Sequence, residues 1–339
     1  MIRKNLTIDV VYENFKSSWF PVARSEDLDK PKSITLLGVK LVVFKDAGGT
    51  ARVTDGRCIH RGADLSMGQV TGDGIECPYH GWVFNGQSGK CVSVPSLQKD
   101  EIIPKTALIK SYPVIEKYKH IWTCLDEPIL DFPNFPEIDN LEFEWLAGEP
   151  ILTNSGFMLA IENFRDMAHF PFVHKSTMGE VSKIFPSLDV EQSGREIKAS
   201  LFYPSKKDSE FSGMGDAWMH YHSYAPGIAS IFYDYMDKGK RFLINFTSPI
   251  SSESCIVFWA VAISKDFKGG TLQEIFEIES KVFAEDTPIL NKIEPKEIYL
   301  DGSVKEFSSP ADIYTLAYRR ACINAVTYIS DIKNQNRKM

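Results

Sequence analysis

Two cysteine–histidine pairs constrain this chain more than anything else in its 339 residues. The first is Cys58-Ile-His60-Arg-Gly62. Sixteen residues then separate His60 from the second, Cys77-Pro-Tyr-His80-Gly81-Trp82. Each pair offers one thiolate and one imidazole, ligands suited to zinc or to iron–sulfur chemistry. The two loops must therefore meet, and the surrounding chain must hold them together. A single structural zinc would satisfy the count. Two features favour a [2Fe–2S] cluster instead, with both Cys on one iron and both His on the other. Two parallel loops, each carrying a Cys and a His, can supply one ligand to each iron, whereas zinc fingers tend to group like ligands. Gly62, Gly68, Pro78 and Gly81 also permit tight loops around a bulky inorganic core.

The residues around these loops read as a small all-β unit. Short β runs are expected at 33–37, 39–44, 51–54, 81–84 and 121–125, with Asn85-Gly86 and Ser88-Gly89 as hairpin turns. Pro128, Pro133, Pro136 and Pro150 then form a bridge, which places a domain boundary near residue 140 and predicts domains 1–140 and 141–339. The second domain opens with a helix expected over 157–169. Strands follow at 196–203, 217–224, 228–235, 241–247 and 255–263, then helices at 272–290 and 311–329. The fold class is α+β: an all-β domain, then helices packed on a curved antiparallel sheet.

A second candidate metal site lies in Glu162-Asn163-Phe164-Arg-Asp166-Met-Ala-His169-Phe170-Pro171-Phe-Val-His174. Asp166 and His169 are neighbours on a helix surface. His169 and His174 would stand about 140° apart on a regular helix, so they meet only where the helix breaks, and Pro171 lies between them. Two His and a carboxylate make a facial triad for Fe(II) with positions left for O2. On the 272–290 helix, Asp286 falls mid-way across the apolar stripe. Glu279 also lies on the apolar side, Glu285 at its edge and Glu277 opposite. A carboxylate on a buried stripe is costly unless it is paired or holds a metal. Periodicity leaves Asp286 and Glu279 both open.

Taken together, Cys58-Ile-His-Arg-Gly, Cys77-Pro-Tyr-His-Gly-Trp and Asp166-x-x-His169-x-x-x-x-His174 with Glu285-Asp286 downstream resemble the Rieske non-haem iron oxygenases over essentially the whole chain. The resemblance implies that Cys58, His60, Cys77 and His80 hold the Rieske [2Fe–2S] cluster. His169, His174 and Asp286 match the mononuclear iron ligands. Asp166 matches the carboxylate that bridges subunits in a head-to-tail homotrimer, bonding to His169 and to His80 of the partner subunit. The sequence is most similar to the single-polypeptide N- and O-demethylases and saxitoxin-pathway hydroxylases. Val282-Phe-Ala-Glu-Asp-Thr-Pro and Leu316-Ala-Tyr-Arg-Arg carry that part of the likeness. Asn163 sits three before Asp166, as in that monooxygenase group. Arene cis-dihydroxylating dioxygenases place Asn four before, where this chain has Glu162, so the polar role beside the iron stays open between Glu162 and Asn163.

The implied activity is that of a terminal oxygenase component. It would take electrons from an NAD(P)H-dependent reductase, directly or through a ferredoxin, and use O2 to hydroxylate a C–H bond of a small aromatic or alkaloid-like molecule. Oxidative N- or O-demethylation is the same chemistry on a methyl carbon. Phe164, Phe170, Tyr224, Phe232, Asn245 and Trp259 are candidate pocket walls. Arg57, Arg61 and Lys90 flank the cluster loops and suit docking of an acidic electron donor. The rival from another class is a non-enzymatic electron-transfer protein with one metal centre.

The remaining features set bounds. A net charge of −7 counts against nucleic-acid binding, and the longest apolar run is too short to span a membrane. Six cysteines are too few for a disulfide scaffold, which suits a cytoplasmic protein. Cys91, Cys124, Cys255 and Cys322 read as small core residues. His120 reads as structural. His220 and His222 share a strand face and read as polar contacts rather than a metal pair.

Overall fold

The computed structural model describes residues 5–139, 142–184, 188–205 and 208–337. Its contacts divide the chain into two compact units, Lys16–Pro128 and a larger one formed by Met1–Phe15 with Ile129–Met339. The boundary expected near residue 140 lies outside the described residues; the units part after Pro128, and the first fifteen residues join the larger one. The helix Ile8–Phe15 accounts for that joining. It buries Val11 and Phe15, sets Tyr12 and Phe15 edge-on to Phe157, and lets Tyr12 donate to Glu297 at 2.7 Å.

The smaller unit is all β. One antiparallel sheet joins Phe20–Arg24, His120–Thr123 and Val114–Lys117. A second runs Lys32–Leu36, Val39–Lys45, Ala51–Asp55 and Ser111–Tyr112. A third runs Gln69–Thr71, Gly74–Glu76, Val83–Asn85 and Cys91–Ser93. Val42, Phe44, Leu65, Ile75, Phe84 and Ile109 form a core that also includes Cys58 and Cys77. The two hairpin turns expected at 85–89 are one loop. Asn85 Oδ1 accepts from the backbone N–H of Ser88 at 2.9 Å, and Gly89 closes the loop at φ +70°.

In the larger unit eight strands form one antiparallel sheet: β1 (Phe143–Ala147), β2 (Ile151–Thr153), β3 (Val190–Ser193), β4 (Glu196–Tyr203), β5 (Ala217–Tyr224), β6 (Ile228–Asp234), β7 (Lys240–Ser251) and β8 (Ser254–Ser264). The order is β1-β8-β7-β6-β5-β4-β3, with β2 also on β8. The long helix Leu272–Leu290 starts at a reciprocal cap. Thr271 Oγ1 accepts from Glu274 N, and Glu274 Oε2 accepts from Thr271 N at 2.7 Å. It buries Ile275, Glu279, Phe283, Asp286 and Leu290, a stripe one residue wide that contains two acids. The last helix runs Ile313–Asn336.

The helix expected over 157–169 is shorter than predicted. It ends at Asn163, and two single turns follow at Phe170–Val173 and Lys175–Met178. Asp166 supplies the reason. Its Oδ1 takes the N–H of Ala168 at 2.8 Å, a local bond that competes with the helical ladder. Pro171 then begins a new turn, where its missing N–H costs nothing. Arg165, buried, ties this break to the sheet through Nη1 to Ile161 O and Nη2 to Ile228 O, both 2.7 Å, with its guanidinium over Tyr318. Arg165→Met is expected to destabilise the larger unit by about 2–4 kcal/mol, read from urea unfolding, because both carbonyls lose a charged donor.

Candidate metal centres

The two cysteine–histidine loops are built alike. Gly62 N–H returns to Cys58 O at 2.8 Å, and Gly81 N–H returns to Cys77 O at 3.1 Å. Gly62 has φ +73° and Gly81 φ +69°, so each loop turns where a side chain would be strained. Gly81 is further confined, since a Cβ there would stand 3.0 Å from the Pro95 ring. Cys58 and Cys77 are both buried. Burial pushes the Cys58 thiol up to about 11, with Cys77 adding to the rise, so a bound cation is needed to hold the Cys58 sulfur as a thiolate.

The His60 and His80 rings meet edge to face at 4.5 Å, and Trp82 stacks on His60 at 4.6 Å. His60 Nδ1 is buried without a partner, as a waiting ligand atom would be, and His80 is exposed. Among the described residues, the one group of three donors lying within 4.8 Å of one another is elsewhere. Two buried sulfurs and two imidazoles thus face one another from two matching loops. The donor set fits a [2Fe–2S] cluster. Arg57 and Arg61 are exposed beside the first loop, whereas Lys90, also exposed, lies by Asn85 at the other end of the strands that carry the second.

That other group is His169, His174 and Asp286. The two Nε2 atoms are 3.0 Å apart, and Asp286 Oδ1 lies 3.4 Å from the first and 3.2 Å from the second. His174 and Asp286 are buried and His169 nearly so. Burial would raise the Asp286 carboxyl, but the two imidazoles outweigh it and hold it at about 2. Burial would lower His169, yet Asp166 and Asp286 lift it to about 9. Carboxylates therefore win over desolvation at this spot, and three donors facing one point suit a divalent cation.

Behind each imidazole stands a second carboxylate. Asp166 Oδ2 lies 3.5 Å from His169 Nδ1, and Glu285 Oε2 accepts from His174 Nδ1 at 2.9 Å. Glu285 also takes the hydroxyls of Ser176 and, at 2.8 Å, Thr177. Sequence reasoning left Glu285 at the edge of the helix stripe. The signal available was its position next to Asp286, which puts both acids near one helix end. Glu285→Gln is expected to weaken Co(II) binding to the metal-free protein by about 10- to 100-fold, measured by titration, because the amide has one acceptor oxygen where the carboxylate serves three donors, and the charge behind His174 is lost.

A cavity of about 820 Å³, its open mouth included, adjoins the three donors. Of the expected walls, Phe164, Phe170 and Asn245 line it, as does Asn163. Tyr224, Phe232 and Trp259 do not. Asn245 shares its face of β7 with Arg241 and Leu243, and their cross-strand partners on β6 are odd-numbered, so Phe232 points the other way. Tyr224 donates to Asn134 O at 2.8 Å, and Trp259 packs against Phe276 and Phe283. His222 lies between Glu137 and Glu196, His220 meets Ser200, and His120 Nδ1 meets Tyr118 O at 2.7 Å. Glu162 turns from the cavity into a two-point pair with Arg319 of the last helix, at 2.7 and 2.8 Å. The walls missed from sequence include Tyr203, Phe211, Met219, Tyr233, Arg241 and Glu279.

Residues 18–113 match the Rieske [2Fe-2S] domain, and residues 153–327 match the vanillate O-demethylase oxygenase C-terminal domain. The methylxanthine N3-demethylase NdmB of Pseudomonas putida is 27% identical over 319 residues, 89% of this chain and 87% of that one. A 114-residue stretch is 39% identical to the oxidoreductase NdmD of Pseudomonas putida, covering 33% of this chain and 19% of that one. The structure of Pseudomonas putida NdmA with caffeine superposes with a TM-score of 0.80 at 24% identity, over 94% of this chain and 96% of that chain.

Proposed function

This chain belongs to the Rieske non-haem iron oxygenases, and from that premise we propose that it is the terminal component that hydroxylates a C–H bond of a small cyclic or heterocyclic molecule. The observation that carries the proposal is the convergence of His169, His174 and Asp286 beside an apolar cavity. In this reading those three hold Fe(II), and Cys58, His60, Cys77 and His80 hold the cluster. When bound, the two groups supply single electrons and the O2 chemistry that oxidises a C–H bond.

The chain's own part is positioning. Asp166 and Glu285 stand at the outer ring nitrogens of the two imidazoles and so aim both Nε2 atoms inward. Phe164 and Phe170 exclude water from the cavity, and Asn163 offers an amide there. A substrate that presents an N- or O-methyl carbon at the same point is demethylated. The methylxanthine demethylase among the relatives favours this second reading.

Electrons reach the enzyme from an NAD(P)H-dependent reductase, with or without a ferredoxin; the likeness to NdmD supports this. A head-to-tail homotrimer completes the link between centres, Asp166 accepting from His169 and from the partner subunit's His80. The partial exposure of Asp166 and the exposure of His80 support that arrangement. Six cysteines without a disulfide are compatible with a reducing cytoplasm, and no helix among the described residues is long and apolar enough to cross a membrane.

Metal analysis tests the reading directly. About three iron and two acid-labile sulfide per chain are expected, together with label from ¹⁸O2 in the product. Zinc without sulfide would refute it.

A further inference from the structure

The far end of the cavity carries a charge pair that the metal site does not use. Arg241 on β7 and Glu279 on the long helix both line the cavity, both are buried, and Arg241 Nη1 bonds to Glu279 Oε1. The guanidinium lies over the Tyr233 ring at 3.7 Å and the Phe211 ring at 4.9 Å. Glu279 and Asp286 are seven residues apart on one helix, so the pair lies about 10 Å along the axis from the metal donors. Burial pushes the Glu279 carboxyl upward and the Arg241 charge opposes it. A guanidinium does not deprotonate, and its contact with the carboxylate favours the ionised pair.

Among the described lining residues, then, the metal donors apart, one cation and one anion remain, and they cancel. What is left to recognise a substrate is uncharged. Asn163 Nδ2, Tyr203 OH and Asn245 Oδ1 are each buried without a partner. A charged ligand would lose its hydration here and meet no free counter-charge, a costly exchange. An uncharged ring system with hydrogen-bonding groups would satisfy those orphaned atoms while filling the aromatic walls.

We infer that the substrate is an uncharged, predominantly apolar ring compound held by amide and phenol groups, and that Glu279 enforces this by neutralising Arg241. The inference rests on the reading of this cavity as the oxygenase's substrate site. It extends that reading to a substrate class.

Matched probes of one to three rings test it on the holoenzyme by calorimetry, without reductase or NAD(P)H. Each ring is supplied as sulfonamide, sulfonate and aminomethyl derivative, for example the 2-naphthalene set. The sulfonamide should bind at least about tenfold more tightly than its charged counterparts. Glu279→Gln, which frees the Arg241 charge, should raise sulfonate affinity about tenfold. The double variant Arg241→Gln/Glu279→Gln, again without net charge, should keep the native preference and so separates charge from packing. Equal or tighter binding of the charged probes, an unchanged ratio in Glu279→Gln, or no binding by any neutral probe would overturn the inference. In a separate turnover assay with reductase and NAD(P)H, absence of ¹⁸O2 incorporation with the neutral preference intact would instead sink the oxygenase reading and leave the preference standing.

Discussion

Asp286→Ala is expected to strip the mononuclear iron and abolish turnover while leaving the cluster in place. Iron should fall from about three to about two per chain, with sulfide unchanged at about two. Turnover should fall roughly 10³-fold or more, about 4 kcal/mol of barrier. Asp286 Oδ1 is within 3.4 Å of both Nε2 atoms, so its loss leaves two imidazoles facing one another with no anionic donor between them. Two such ligands do not neutralise a divalent cation. The rival account makes Asp286 a structural partner of two buried histidines. That account predicts a lower unfolding midpoint with iron retained, and full iron content in a folded Asp286→Ala protein would support it. Cluster absorbance provides the internal control, because Cys58 and Cys77 belong to the other compact unit.

How far the sequence reveals these roles depends on where each partner comes from. The cluster loops are local: each Cys and His lies within a few residues of the glycine that turns its loop, so ligand and geometry are written side by side. The long helix is also local, and its stripe of Ile275, Glu279, Phe283, Asp286 and Leu290 follows from period alone. Period cannot say what each acid meets. Arg241, from a strand dozens of residues earlier, takes Glu279, while His169 and His174 take Asp286. Only the resemblance separated the two acids in advance.

The cavity walls fail for a different reason. Strands β6 and β7 are buried on both faces, one by cavity and helices, the other by Phe135 and Trp145 packed near His222 and Phe242. With no polar face, alternation shows that residues share a side but not which side is the cavity. Tyr224 and Phe232 share a side, and the register puts it opposite the face of Tyr233 and Asn245. The break after Asn163 was hidden as well. An apolar, helix-compatible segment gives way to a single side-chain bond from Asp166 to Ala168, a competition that period does not register.

Asp166→Asn should preserve both metal centres and still slow turnover at least about 100-fold, equivalent to about 2.7 kcal/mol of barrier. The substitution is isosteric, so an amide oxygen can still accept from Ala168 N as Asp166 Oδ1 does at 2.8 Å. What it removes is the charge. Burial alone would raise the Asp166 carboxyl, yet His169 and the local backbone N–H groups hold it below the ordinary range, so the carboxylate is ionised where it meets His169. An ionised carboxylate can accept from two imidazole N–H groups at once, one from His169 and one from the partner subunit's His80, whereas an amide has one oxygen to offer. Three measurements separate this link from a structural role. Iron and sulfide should remain at about three and two per chain, the unfolding midpoint should stay near the native value, and re-oxidation of the reduced cluster under O2 with substrate should slow in step with turnover. Loss of iron in Asp166→Asn would make Asp166 a positioning residue for His169, and unchanged re-oxidation would remove it from the path between the centres.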